Sequence, residues 1–306
     1  MDISLIICTR DRCRKLARHL DSLGRITFER RWEIIIVDNG SVDETAAVVR
    51  EFMRTAPAPV SFVFEPKPGK SNALNTALGV AQGQIIVFTD DDCYPAEDFL
   101  SQVWSAFQDP SVGYVTGRIM LHDPTDAPET INESTTPRTF PGRHYLYPGT
   151  VMGANMAFRR QVFIDIGGFD PLFGPGAPFN STEDLDVGSR ASAKGWMGQY
   201  HPEVIVRHHH ERKSSDVARM AKSYSIGTGA YYMKLLLSGR EFLWFVRGVF
   251  QLRRRVKWYG GTFFWQTIFW ETVGATRYLY LYLTTVAFRN KRSELSPVST
   301  FKIPLD

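Results

Sequence analysis

Cysteine is nearly absent from this sequence: Cys8, Cys13 and Cys93 are three among 306 residues. An odd number without zinc-type spacing argues against both a disulfide framework and a thiolate metal centre, and fits a reducing cytoplasm. Long hydrophobic runs are missing at the amino terminus. Met1 to Arg10 carries one short apolar stretch ending in charge, too brief for a signal segment or a spanning helix, and reads as a β-strand. No internal repeat and no GxxxxGK[ST] phosphate loop is present. Acidic residues are scarce in one block only: Lys and Arg number 24 against 28 Asp and Glu up to residue 233, but 11 against 2 from 234 to 292. The basic character is therefore carboxy-terminal, and suggests an anionic surface as neighbour, nucleic acid or membrane.

What remains is the composition of a globular protein, 43% hydrophobic and 22% charged, with an aromatic share of 13% concentrated late in the chain. Apolar, β-branched runs at Ile3 to Cys8, Glu33 to Val37, Val60 to Glu65 and Gln84 to Thr89 have the length of buried strands. Between them lie stretches with helical spacing: Leu16, Leu20 and Leu23; Ala46, Val49 and Met53; Ala73, Leu74, Ala77 and Leu78. Alternating strands and helices predict a mostly parallel, Rossmann-like sheet covered on both faces. From His122 to His144 the chain reads as a long surface loop rich in Pro, Thr and acidic residues.

Each buried run ends in polar residues: Thr9, Arg10 and Asp11; Asp38, Asn39, Gly40 and Ser41; Asp90, Asp91 and Asp92. These fall at carboxyl ends of strands, where open α/β sheets bind ligands. Three adjacent carboxylates repel one another and call for a cation, and magnesium or manganese would suit oxygen ligands shared with phosphates. A solvated acidic turn is the bland alternative. Asp38 could accept from a nucleobase N–H, or could simply make a turn, with Ser41 to Glu44 as a capping box. Lys67, Pro68, Gly69, Lys70 and Ser71, with Asn75 a turn later, approach a helix start suited to phosphate, or form an ordinary loop. Glu183 and Asp184 open a further helix, as a general base would or as plain N-terminal acids do. In His208, His209 and His210, alternation puts His208 and His210 on one face, where one could join a metal shell.

Taken in order over roughly residues 3 to 215, these segments resemble the family 2 glycosyltransferases, which have the GT-A fold. The resemblance implies a nucleotide site at Thr9, Arg10, Asp38, Gly69, Lys70, Asn75, Asp90 and Asp91. It makes Asp90 to Asp92 a DxD motif with Asp92 on the metal, joined by His208. Gly153, Asn155 and Glu183 would border donor sugar and acceptor, and Asp184 would be the catalytic base. The implied reaction is inverting transfer from a nucleotide diphosphate sugar, a UDP-sugar, to an acceptor hydroxyl, with Mn2+ or Mg2+. The acceptor would be a glycan or a lipid-linked molecule; no nucleic acid is expected as partner. There is no QxxRW motif, which argues against a processive synthase. The competing readings are an inactive sugar-binding or scaffold protein at the membrane, a sugar nucleotidyltransferase, whose Gly-rich amino-terminal loop is missing, and a glycoside hydrolase using paired carboxylates.

The expected division is a catalytic domain at 1–215, with a nucleotide half to about 95 and an acceptor half from 96, followed by a helical extension at 216–306. In that extension Phe242, Phe245, Val246 and Val249 recur at helical spacing, ahead of Arg253, Arg254, Arg255 and Lys257. Glu271 and Arg277 interrupt the apolar stretch 263–288, which argues against a membrane span and for an interfacial helix. The alternative is packing on the catalytic domain or in a homo-oligomer. The expected location is cytoplasmic, with peripheral contact to the inner membrane face through 240–292.

Overall fold

The computed structural model describes residues 1–239 and 242–291, with the side chains of 245, 248–263 and 286–291 outside that description. The basic run at Arg253 to Lys257 therefore lies outside the described side chains, as do Phe245 and Val249.

The first half alternates as its spacing predicts: β1 (Ile3–Thr9), α1 (Cys13–Leu23), β2 (Trp32–Asp38), α2 (Thr45–Phe52), β3 (Val60–Phe64), α3 (Lys70–Val80) and β4 (Ile85–Asp90). The second half is β5 (Cys93–Pro95), α4 (Phe99–Ala106), β6 (Val112–Leu121), β7 (Arg138–Phe140), β8 (Asn155–Arg159), α5 (Arg160–Ile166), α6 (Glu183–Lys194), β9 (Met197–His208), α7 (Val217–Ser238) and α8 (Phe242–Lys291). One sheet runs β3-β2-β1-β4-β8-β6-β9-β5, with β7 added on β9. The pairs within β1 to β4 are parallel. β8 enters antiparallel between β4 and β6, so strand direction reverses there.

Strands buried on both faces explain the uninterrupted apolar runs. Ile6, Ile35, Val37, Ile86 and Phe88 point to one side, under α3, α5, α6 and α7. Leu5, Ile7, Ile34, Ile36 and Val87 point to the other side, under α1, α2 and α4. The expected loop 122–144 contains the short strand β7, and Asn132 bridges to Ile119. Such short pairings carry no periodic signal.

The helical extension is part of the main core. Tyr231, Tyr232 and Leu235 of α7 and Trp244 of α8 join the cluster under the sheet. α7 and α8 run antiparallel with touching backbones: a Cβ on Gly229 would lie 1.8 Å from the Glu271 carbonyl oxygen, and one on Gly274 would lie 1.9 Å from that of Ile226. Only glycine permits this approach. Among the described residues no helix is long and apolar enough to cross a membrane.

Candidate active site

The parallel register sets Thr9 beside Asp38 and Cys8 beside Asp90, which brings three strand ends to one edge. There a cleft of about 920 Å³ opens between the sheet edge, the start of α6 and the α7–α8 pair. Its wall includes Thr9, Arg10, Gly69, Lys70, Asp90, Asp91, Asp92, Gly153, Glu183, Asp184 and His208. Segments as distant in sequence as Thr9 and His208 thus share one cavity.

Three of the expected residues are not in that wall. Asn155 is buried on β8, where its amide donates to the carbonyls of Arg118 and Val204, at 3.0 and 2.8 Å. Asn75 clamps the backbone of Phe169, accepting from its N–H at 2.7 Å and donating to its carbonyl at 2.8 Å. Asp38 is buried and accepts from the Ser41 N–H at 2.8 Å. Its neighbour Asn39 does reach the cleft: it accepts from Gly69 N–H and donates to the carbonyls of Glu65 and Lys67, tying the β2 turn to the α3 approach.

The acid triplet is divided among different cations. Lys70 donates to Asp90 and lies 3.6 Å from Glu183 Oε1. Asp91 accepts from Thr9 Oγ1 at 2.7 Å and from Arg12 at 2.6 Å. Asp92 accepts from the other amino group of Arg12, with Lys15 Nζ at 3.6 Å and His208 Nε2 at 3.2 Å. Repulsion among the three carboxylates is thus relieved by side chains of α1 and α3, and does not by itself demand a bound ion. Arg12 and Lys15 were not legible as site residues, because just before α1 and on its first turn they are no different in sequence from any exposed basic residue.

Protonation follows from these pairings. Burial would raise Asp92, but His208, Arg12 and Lys15 outweigh it and hold the carboxyl well below the usual range. Asp90 is likewise lowered, Lys70 overcoming burial. Burial dominates at Asp91 and pushes it up to about 7 despite Arg12. Glu183 is pushed up to about 7 by burial, against the pull of Lys70. Asp184 is raised by burial, moderated by the N–H groups of Gly153 and Leu185, which donate to its two oxygens at 2.9 and 2.7 Å. Burial would lower Lys70, but Asp90 and Glu183 raise it, so its ammonium is charged. The Cys8 thiol, pushed up to about 12 by burial, is no thiolate nucleophile.

Asp90, Asp92, Cys93 and His208 each bring a ligand atom within 4.8 Å of the others. The Nδ1 of His208 is buried without a hydrogen-bond partner. Two depressed carboxylates and an imidazole suit a divalent ion that takes oxygen and nitrogen ligands, whereas burial keeps the Cys93 thiol protonated. His208 and His210 share a side with ring centroids 5.0 Å apart, while His209 packs on the other side against Tyr94 and His122.

Backbone strain gathers where α6 begins. Asn180 and Thr182 both have positive φ, 25° and 80°, and turn Glu183 and Asp184 into the cleft. Gly153 faces them: a Cβ there would stand 3.1 Å from Lys70 Nζ and 3.8 Å from Asp184 Oδ2, so the absent side chain leaves room where these groups converge.

A half-parallel sheet with an acidic cleft at its strand ends agrees with the GT-A architecture that the sequence resemblance implies. The family model for glycosyl transferase family 2 matches residues 4–167, and the chain belongs to that family. An uncharacterized glycosyltransferase of Nostoc sp. is 27% identical over 183 residues, 56% of this chain and 55% of that protein. The poly(ribitol-phosphate) beta-N-acetylglucosaminyltransferase TarS of Staphylococcus aureus is 28% identical over 110 residues, 36% of this chain and 19% of that protein. The chain spans about half the length, or less, of the first curated relatives it matches. Among solved structures, a mannosyltransferase of Pyrobaculum calidifontis, in complex with GDP-Man and Mn2+, superposes with a TM-score of 0.58 at 21% identity, covering 96% of this chain and 88% of that one. A TarS fragment superposes at 0.57 with 17% identity, covering 77% and 66%. At these identities the likeness is one of fold.

Proposed function

We propose that the protein is an inverting, metal-dependent glycosyltransferase that moves a sugar from a nucleotide diphosphate donor, a UDP-sugar, to an acceptor hydroxyl, in polysaccharide or glycolipid synthesis. The observation that carries this reading is the meeting of Asp184, Glu183 and Lys70 with the β4 carboxylates in one cleft. A hydrolase would need paired carboxylates alone, whereas this cleft also has the strand ends and the α3 approach that suit a nucleoside diphosphate. TarS structures with UDP and with UDP-GlcNAc support a uridine donor, and the mannosyltransferase complex with GDP-Man supports testing guanosine donors beside it.

In this reading Asp92 and His208 would hold the divalent ion, with Asp90, expected on the nucleotide side, near enough to join them, and Mn2+ or Mg2+ would supply electrophilic assistance to the departing diphosphate. Asp184 accepts the proton of the acceptor hydroxyl as that oxygen attacks the anomeric carbon on the face opposite the leaving group. One displacement inverts the configuration, and no covalent enzyme intermediate is required. The N–H groups of Gly153 and Leu185 fix the Asp184 carboxylate, one on each oxygen. Lys70 keeps Asp90 ionised and draws Glu183 toward the same face. Residues 1–215 carry the donor-side groups and the base, and the α7–α8 pair, beyond them, closes the acceptor end of the same cleft. Nucleoside diphosphate release, measured over a panel of uridine and guanosine donors with and without manganese, tests the assignment. No release above the Asp184→Asn background, with any donor and acceptor extract, would overturn it.

A further inference from the structure

Helix α8 has two faces of different character. Thr267, Glu271, Gly274, Tyr278 and Leu281 recur at intervals of four and three residues and turn inward. Thr267 and Glu271 line the cleft, Gly274 meets α7, and Tyr278 packs on Phe173 and Phe179 at centroid distances of 6.1 and 5.6 Å. About 180° around the helix lies a second stripe, Trp265, Phe269, Thr272, Thr276, Tyr280 and Leu283. All six are exposed, the four large side chains by 68%, 58%, 69% and 55% in chain order.

This outer stripe contains no charge over a rise of about 27 Å. Its two threonine hydroxyls are turned to the helix backbone: Thr272 donates to the Ile268 carbonyl at 2.8 Å, and Thr276 to that of Thr272 at 2.9 Å. Satisfied within the helix, they present methyl groups outward. Arg277, an exposed cation of the same helix, reaches back over the Phe179 ring at 6.0 Å. Trp and Tyr on an apolar stripe suit the boundary between headgroups and acyl chains. In the sequence, 11 Lys and Arg stand against 2 Asp and Glu across 234–292, and with Lys234 set aside on Asp170 and Asp186 the block is still basic, opposite in sign to anionic headgroups.

We propose that the outer face of α8 from Trp265 to Leu283 lies on an anionic lipid surface, so that a lipid-borne acceptor is met about one helix diameter, roughly 10 Å, from the cleft. The inner face of the same helix lines that cleft, so docking holds the cleft close to the surface without any crossing of the bilayer. Naming the acceptor as lipid-borne rests on the transferase reading, but the docking is measured without turnover, so the two can fail separately.

The test is flotation of the full chain with phosphatidylcholine vesicles, with or without phosphatidylglycerol. The wild type floats with the anionic vesicles and less with the neutral ones, and Phe269→Glu combined with Tyr280→Glu lowers the partition coefficient roughly tenfold or more. Met53→Glu, at the far end of α2, leaves it unchanged. Thermal shift with UDP and manganese reports that each variant retains its cleft, and the milder Phe269→Ser weakens flotation if the double variant does not fold. Three results overturn the proposal: a wild type that stays out of the anionic vesicle fraction, variants that float as well as it does, or a dimer in solution that the double variant dissociates.

Discussion

Lys70 reaches across the cleft from the start of α3 to within 3.6 Å of the Glu183 carboxylate at the start of α6. It also donates to Asp90 on β4, so one ammonium joins the two acidic groups on which the reading depends. Lys70→Met leaves the buried Glu183 and the half-buried Asp90 without their ammonium, and urea unfolding is expected to show a loss of about 3 kcal/mol. Adding Glu183→Gln should recover part of it. An unchanged urea midpoint in the single variant would mean that the bridge is not formed in solution.

Asp184→Asn preserves the shape of the side chain and removes the base. Donor affinity by calorimetry should stay near wild type while transfer falls roughly a thousandfold. A variant with wild-type turnover would take the base role away from Asp184.

Asp92→Ala removes a carboxylate held well below the usual range and the partner of His208. Manganese-dependent UDP binding should disappear in titration calorimetry. Tight UDP binding that persists in the variant and ignores a chelator would contradict the metal assignment.

Glu183 supplies a pH signature. Its carboxyl titrates near 7 in the folded protein and at the ordinary 4.5 when unfolded. The native state therefore holds this proton more tightly, and the contribution to stability is present in full below about 4.5 and fades as pH rises through 7. Urea midpoints of wild type minus Glu183→Gln should decline from pH 5 to pH 8. A difference that is flat or rises over that interval would reject the burial argument.

Gly274→Val places a branched side chain where the Ile226 carbonyl oxygen would lie 1.9 Å from its Cβ. The α7–α8 contact must separate, at a cost of about 3 kcal/mol. Because α7 and α8 form one wall of the cleft, transfer should fall more than donor binding does, as kinetics with varied acceptor would show. A variant of unchanged thermal midpoint would disprove the close crossing.

Much of the fold is written locally. Buried strands such as Ile34 to Val37 show as apolar runs, and the polar clusters after β1, β2 and β4 mark the ligand edge by their position alone. Asn75 and Asn155 are expected in the site through the family resemblance, but an amide suits a backbone as well as a sugar, and the packing sets theirs on Phe169, Arg118 and Val204. α8 looked either interfacial or packed, and its described part is packed on one face and exposed on the other.

Residue order alone specifies which side chains can be buried, where strands end, and that carboxylates, lysines and histidines are available there, since period and residue type act within a few neighbours. The pairings exist only once the chain is folded: Arg12 with Asp91, Lys70 with both Asp90 and Glu183, His208 with Asp92. Those contacts join positions separated by as many as 116 residues, and ion pairing depends on distance in space and on burial, neither of which is encoded in any one stretch of chain.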